Sequence, residues 1–567
     1  MPRRALGALL IVLPLTACGA PAGSSSAPEW FTDEAQTAGL AFTHVNGMSG
    51  HFYYPEIMAP GVGLFDYDND GDLDVYVTQG HLLEVNGADP GGDGDRLFRN
   101  DTVKNPDGTS TIKFTDVTAQ SHIDLRSYGM GVAAGDFNND GFVDLYRTGL
   151  SGGTLLRNNG DGTFTDVSKA TGTSDMGGWG VSATFFDYDR DGWLDLFVGN
   201  YLIYSVGADV QCLSVTGRRD YCPPNSYRAQ PSRLFHNRRN GTFEEITPKA
   251  FINGAFGPAL GASAADFNND GWIDLYVAND GQPNQLWINQ HDGTFKDTAF
   301  LAGAAVSGTG QAEASMGVDA GDFDNDGDED IFITNWLDQM NVLYLNDGAG
   351  NFEDRRGTSG LGAPSLAKTG FGAGWFDFDR DGWLDLFVAN GGVATIEALA
   401  RANDPFPLKM TPQLYRNLGT GRFEDVSGRA GAVFKIADVG RGVAFGDVDN
   451  DGDTDILVAN TNGKMRLLIN NDPNRNHWLG LRLMNAKQER DALGARLEIK
   501  RATGPVLWRR ARADGSYASA NDPRVLVGLG AESAPPNIRI TWPDGRAEEF
   551  TGVPIDRYIT LKEGTGR

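Results

Sequence analysis

One nine-residue pattern, D-x-[DN]-x-D-G-x-x-D, recurs seven times along this chain, with starts 51 to 79 residues apart. A period of tens of residues marks a repeat architecture, in which each copy is a small unit that buries its apolar face against the next. The copies span residues 66–74, 136–144, 187–195, 266–274, 322–330, 377–385 and 447–455. A Gly-rich run of small residues precedes each copy, as in residues 129–135 (GMGVAAG), and an alternating apolar run follows it, as in residues 384–389 (LDLFVA). A Gly turn between two such runs is hairpin chemistry. A second hairpin signature comes next: L-[FYW]-x-N, a Gly turn, then F-x-D, as in residues 286–297 (LWINQHDGTFKD). Each unit therefore reads as a four-stranded meander.

The last unit stops at residues 467–470 (LLIN) with no F-x-D strand after it, whereas Phe31-Thr32-Asp33 stands near the start without a partner. Pairing the two closes a ring and leaves no open sheet edge. The expected fold is all-β: a seven-bladed β-propeller over residues 29–472, closed by its N-terminal strand, then a small β-sandwich-like domain over residues 473–567. Charge supports that boundary, since residues 1–472 hold 32 basic and 64 acidic side chains and residues 473–567 hold 16 and 11. A formal charge of -27 argues against nucleic acid as a partner, because phosphates require basic faces.

Within each nine-residue loop, carboxylates or amides at positions 1, 3, 5 and 9 can wrap oxygen ligands around one hard cation, and Gly at position 6 permits the sharp turn. The candidate ligands are Asp66, Asp68, Asp70 and Asp74; Asp136, Asn138, Asp140 and Asp144; Asp187, Asp189, Asp191 and Asp195; Asp266, Asn268, Asp270 and Asp274; Asp322, Asp324, Asp326 and Asp330; Asp377, Asp379, Asp381 and Asp385; and Asp447, Asp449, Asp451 and Asp455. Such loops suit Ca2+, up to seven ions, better than Mg2+, which keeps several waters in near-octahedral sites. They are not EF-hands: the twelfth position, Val77 or Val198, is not a bidentate Glu. Loops two and four, with Asn at position 3, are expected to bind most weakly.

The first residues read as a leader: Arg3 and Arg4, an apolar run over residues 5–15, then Leu15-Thr16-Ala17-Cys18, which resembles a bacterial lipobox with Cys18 as the lipidated residue. Residues 1–18 would then be signal peptide and lipobox, and residues 19–28 (GAPAGSSSAP) a flexible tether. Because residue 19 is Gly and not Asp, resemblance to Gram-negative sorting signals implies a lipid-anchored outer-membrane protein. Cys212 and Cys222 are an even pair in an exported chain and are expected to form a disulfide, two free thiols being the alternative.

The acidic loops resemble the FG-GAP/VCBS repeats of integrin α-subunit propellers. Residues 476–479 (NHWL), 490–495 (RDALGA), 527–530 (VGLG) and 540–545 (ITWPDG) resemble the ASPIC/UnbV domain of the cartilage acidic protein family. This resemblance implies a calcium propeller, and the same scaffold serves many roles.

In a meander, the loops between strands one and two and between three and four share one face. Long insertions at residues 79–95, 201–232 and 391–412 fall on the other, which is the expected ligand face because loops on a rigid scaffold carry recognition. Asn200, Asn279, Asn335, Asn390 and Asn460, ending the second strands, either form local turns, the favoured reading, or line the mouth there and offer amides to a protein or carbohydrate. No H-E-x-x-H, G-x-S-x-G or phosphate loop is present, so the expected role is calcium-dependent binding or adhesion and not catalysis. Two alternatives stand: an extracellular polysaccharide lyase or isomerase using the mouth, and a scaffold recruiting a partner through its C-terminal domain. Residues 44–56 (HVNGMSGHFYYPE) are read as packing and loop fixation ahead of an acid/base cluster. Arg496, Arg509, Arg510 and Arg512 either dock on the acidic repeats or face solvent.

Overall fold

A computed structural model describes residues 29–83, 93–174, 177–214, 216–487 and 489–567. The leader, Cys18 and the tether lie outside the described residues. The chain is all-β with a few one-turn helices, and among the described residues no helix is long and apolar enough to cross a membrane.

Seven four-stranded antiparallel sheets take up the repeats. In the first, Val62–Phe65 pairs with Asp74–Val77 in the register Phe65↔Asp74, so the acidic loop is the connection between the first two strands. Arg96–Asn100 and Phe114–Asp116 complete the meander. The seventh sheet takes its fourth strand from the other end of the chain: Phe31–Asp33 pairs with Arg466–Asn470, with Phe31 opposite Asn470. The innermost strands are Val62–Phe65, Gly129–Gly135, Gly180–Phe186, Ala259–Ala265, Val318–Gly321, Gly370–Phe376 and Gly440–Gly446. Each packs beside the next, and the last beside the first. Apolar side chains of adjacent sheets share cores; Leu64 and Val75 of the first sheet pack with Ala444 and Leu457 of the seventh. Burying one such side chain contributes about 1.5–3 kcal/mol.

Residues 473–567 form a second unit of two sheets around one core that includes Leu479, Leu497, Val527, Ile540 and Trp542. One sheet joins His477–Met484 to Val525–Gly530 and, in parallel, to Tyr558–Lys562. The other contains Leu507–Arg510, Arg496–Lys500, Asn537–Thr541 and Ala547–Phe550.

This unit sends residues 514–522 (DGSYASAND) down the axis between the innermost strands. Ala520 N donates to Val62 O and Leu64 N to Ala520 O, Val132 N donates to Ala518 O, Val318 N to Ser516 O, Ala264 N to Asp514 Oδ2, and Phe445 N to Asn521 Oδ1. Ala518 N donates to Ser182 Oγ of the third sheet, so one nine-residue segment occupies hydrogen-bonding groups of six sheets and satisfies backbone that would otherwise be buried unpaired. Small residues make the approach possible. A Cβ on Gly61 would lie 2.0 Å from the Ala518 carbonyl oxygen, and one on Gly131 would lie 2.8 Å from the Ala518 Cβ.

Candidate metal centres

All seven acidic loops close in the same way. The residue at position 4 adopts a left-handed backbone (Asn69, Asn139, Arg190, Asn269, Asn325, Arg380 and Asn450), and so does Gly at position 6. In every loop the position-1 carboxylate accepts the position-6 Gly N–H, from 3.1 Å at Asp66 to 2.8 Å at Asp447. In six loops the position-9 carboxylate accepts the position-2 N–H, as Asp74 does from Tyr67 at 2.9 Å. These bonds hold the carboxylates close together. In the groups Asp66-Asp68-Asp70, Asp187-Asp189-Asp195, Asp322-Asp324-Asp330 and Asp377-Asp379-Asp385, the oxygens converge within 4.8 Å of one another.

Several of those oxygens have no donor. Asp66 Oδ1, Asp68 Oδ1, Asp324 Oδ1, Asp330 Oδ2 and Asp379 Oδ1 are buried without a hydrogen-bond partner. Burial pushes the position-1 carboxyls up, to about 6 at Asp66, about 7 at Asp187 and about 8 at Asp322; at Asp377, neighbouring carboxylates add to burial and it too reaches about 8. Unpaired, convergent, desolvated carboxylates are unfavourable unless a cation completes them. The donor set is therefore fitted to a hard, oxygen-preferring cation.

The loops are not equal. Asn138 Nδ2 donates to Asp140 Oδ2 at 2.8 Å and Asn268 Nδ2 to Asp270 Oδ2 at 2.9 Å, so loops two and four partly satisfy their own carboxylates. In loop six Arg416 lies 2.6 Å from Asp379, and in loop three His236 lies 3.1 Å from Asp195. The equivalent third-strand positions beside loops five and seven hold Leu345 and Ile469, which bring no charge to the acids.

The Asn of L-[FYW]-x-N holds the loops in place. Its backbone N–H donates to the position-9 carboxylate of its own sheet, and its side chain donates to the position-2 carbonyl of the preceding sheet. Asn158 reaches Tyr67 O at 2.7 Å, Asn289 reaches Tyr188 O at 2.8 Å, and Asn100 reaches Val448 O at 2.8 Å. All seven repeats make both bonds. The sequence pattern contains this Asn without assigning it a role; its recurrence in all seven repeats is the signal that points to one.

Repeat loops of this geometry match a model described as FG-GAP-like repeat over residues 66–147, 136–198, 225–277, 266–333, 322–388 and 402–458, together more than half of the chain. The chain belongs to the FG-GAP-like repeat family. Residues 485–567 match the ASPIC and UnbV domain. The FG-GAP chain is 24% identical to mouse cartilage acidic protein 1 over 569 residues, covering 95% of this chain and 77% of that protein. The human protein of the same name is also 24% identical, over 549 residues, 91% of this chain and 74% of its own. Among solved structures, the BP39L lectin from Burkholderia pseudomallei aligns with a TM-score of 0.40 at 12% identity, covering 74% of this chain and 98% of that one.

On the face of the FG-GAP sheets away from the acidic loops, the structure decides between the two readings of the strand-ending Asn residues in favour of local turns. Asn200, Asn279, Asn335, Asn390 and Asn460 do not line a mouth. They are at most 2% exposed, and each spends its side-chain amide on the carbonyl of a nearby loop: Pro231, Pro283, Met340, Thr411 and Lys464. A strand-ending Asn inside a hairpin connection is claimed by the local turn before a ligand can use it.

The mouth itself is roofed. Residues 44–58 lie across it, with Tyr54 Oη 2.7 Å from Tyr201 Oη and Tyr201 donating to Asp280 at 2.5 Å. Glu56 accepts from Tyr221 at 3.0 Å. Below them Tyr517, from the axial segment, meets Phe371 edge-on at 4.9 Å, and the buried Arg441 lies 3.7 Å above the Phe371 ring. Cys212 and Cys222 are bonded within the 201–232 insertion, whose Asp220 accepts from Thr395 of the 391–412 insertion at 3.0 Å. The undecided arginines dock. Arg496, Arg509, Arg510 and Arg512 all hydrogen-bond residues of the repeats.

Proposed function

We propose that this chain is a calcium-organised, seven-bladed propeller that binds a protein or carbohydrate ligand through the face opposite its metal loops. The calcium reading is carried by the buried, unpartnered carboxylate oxygens in the convergent loops. Bound Ca2+ would supply positive charge that completes the loops, with the carboxylates at positions 1, 3, 5 and 9 as its ligands. Closure of the seven sheets into one ring is supported by the Phe31–Asp33 pairing and by the Asn100 bond to Val448.

The ligand face is supported by where apolar side chains are exposed. Among the described residues, thirteen of the fifteen exposed large apolar side chains lie on connections of the face away from the metal loops, including Ile203 at 60%, Leu213 at 69%, Phe300 at 66% and Leu301 at 86%. An excess of exposed apolar side chains on one face is what an interaction surface there requires. The N-terminal strand begins at the metal-loop end of its sheet, where Trp30 packs on Phe378 at 5.4 Å. A tether from a lipidated Cys18 would therefore leave the ligand face pointing away from the outer membrane. At the axis, Tyr54 and Tyr201 bond each other, Tyr201 also donates to Asp280, and Arg441 donates to backbone carbonyls, which weighs against a lyase or isomerase there.

Native mass spectrometry of residues 29–567, with thermal unfolding in Ca2+ and in chelator, tests the metal. Several bound ions and a large chelator-dependent loss of stability support it; no bound ion and an unchanged melt sink it. Protein and glycan arrays probed with Leu213→Asp and Leu301→Asp test the face, and binding that survives both substitutions would move it elsewhere.

A further inference from the structure

The C-terminal domain grips the acidic loops by one repeated device. At three junctions between neighbouring loops, one arginine bonds both the position-4 Asn of one loop and the position-6 Gly carbonyl of the next. Arg490 donates to Asn139 Oδ1 at 2.7 Å and to Gly192 O at 3.1 Å, between loops two and three. Arg509 donates to Asn325 Oδ1 and Gly382 O, both at 3.0 Å, between loops five and six. Arg524 donates to Asn450 Oδ1 at 2.6 Å and Gly71 O at 3.2 Å, between loops seven and one. Arg496 adds a bond to Asn269 of loop four at 2.7 Å.

Every one of these acceptors is uncharged, so the arginines do not take the carboxylate oxygens that a cation needs. What they recognise is shape. The position-4 and position-6 residues both sit in left-handed backbone, a conformation held by the bonds that also bring the carboxylates together. Two aromatic residues of the domain read the same turns: Trp478 lies so close to Gly452 that a Cβ there would fall 1.9 Å from its ring, and Trp508 lies 3.2 Å from the equivalent point on Gly327. Tyr558 donates to Asp447 Oδ2 at 2.9 Å, on the side of that carboxylate already bonded to Gly452.

We propose that the C-terminal domain is a calcium-responsive latch: filling the loops sets the geometry its arginines require, and its seating in turn holds the loops closed around their ions. This rests on the calcium reading above. Without a cation the crowded carboxylates repel, the turns relax, and the two-point contacts lose their spacing. Linkage then requires that the seated domain raise cation affinity by the factor by which cations favour seating. The axial segment is the moving part whose position reports the state, because both its ends run into strands of the domain, Leu507–Arg510 and Val525–Gly530, while the innermost strands hold it along its length.

Hydrogen exchange of the intact soluble chain, residues 29–567, across a Ca2+ titration tests the latch without any substitution. Residues 513–522 are expected to lose protection at calcium levels where the sheet strands and the domain's own core remain protected. Arg509→Lys, which keeps the charge and loses the two-point fork, is expected to weaken the calcium sites it borders by about 5-fold or more, the low end of ordinary coupling. Two results would overturn the latch while leaving the calcium reading intact: ions stripped with no change at residues 513–522, or axial segment and sheets losing protection together. A native protein that binds no ion would overturn both.

Discussion

Asn100 donates its side-chain amide to the carbonyl of Val448, 348 residues away, and so ties the first sheet to the seventh. The bond has the same form as the Asn158 bond to Tyr67 between the first and second sheets. Asn100→Ala removes this bond and a second one to Leu73, leaving buried carbonyls unpaired, and is expected to lower unfolding stability by about 1–3 kcal/mol. Asn158→Ala should lower it by a similar amount in the same urea titration. A neutral Asn100→Ala beside a damaging Asn158→Ala would mean that the ring is open at this junction.

Occupancy of the loops should be graded. At limiting Ca2+, loops five and seven are expected to fill first, because Leu345 and Ile469 replace the basic side chains that shield loops three and six. Asn138→Asp removes the amide that satisfies Asp140 and adds a ligand charge, so it should tighten loop two. Ion counts by native mass spectrometry on Asp324→Asn, expected one lower than wild type, and on Asn138→Asp would check both.

Two buried groups in residues 44–56 give opposing pH dependences. Burial raises Glu56 to about 7, so the folded protein holds a proton that the unfolded chain releases near 4.5; its contribution is present below that pH and lost as pH rises through 7. Burial, with Arg441 adding, lowers His44 to about 3, so its contribution is present above 6.5 and lost as pH falls towards 3. Measured in saturating Ca2+ between pH 5 and 7, Glu56→Gln should make stability rise more with pH than in wild type, and His44→Gln should make it fall more. Parallel curves for all three proteins would refute both assignments.

Removing the disulfide should act locally. Replacing Cys212 and Cys222 with Ser frees a short loop, a loss of up to about 3 kcal/mol in the chain-entropy model, confined to the roof. Limited proteolysis should then cut within residues 201–232, with the ion count unchanged.

The repeats were legible because each element carries a local signal: an Asp-Gly turn, an alternating strand, an F-x-D edge. Phe31-Thr32-Asp33 could be matched to its distant partner Arg466–Asn470 only because the last unit lacked that edge. The axial segment had no such signal. Residues 514–522 look like an ordinary polar loop, and their run of Gly, Ser and Ala marks close packing only once the strands around them are known. The same holds for Arg490, Arg509 and Arg524, whose partners are defined by sheet order and not by neighbouring sequence. The five strand-ending Asn residues left two readings open, because a repeated polar residue at a loop suits a local turn and recognition alike until the carbonyls that claim it are known.

The axial segment also constrains how the molecule can be made. A ribosome releases Val62 long before Ser519 and Met58 long before Tyr517, yet these pairs, 457 and 459 residues apart, are bonded in the finished protein. Early sheets can pair their own strands as they emerge, but the hub they surround arrives only after the strands of all seven sheets have been made. Final assembly is therefore deferred until the axial segment is available, and contacts of such long span form slowly.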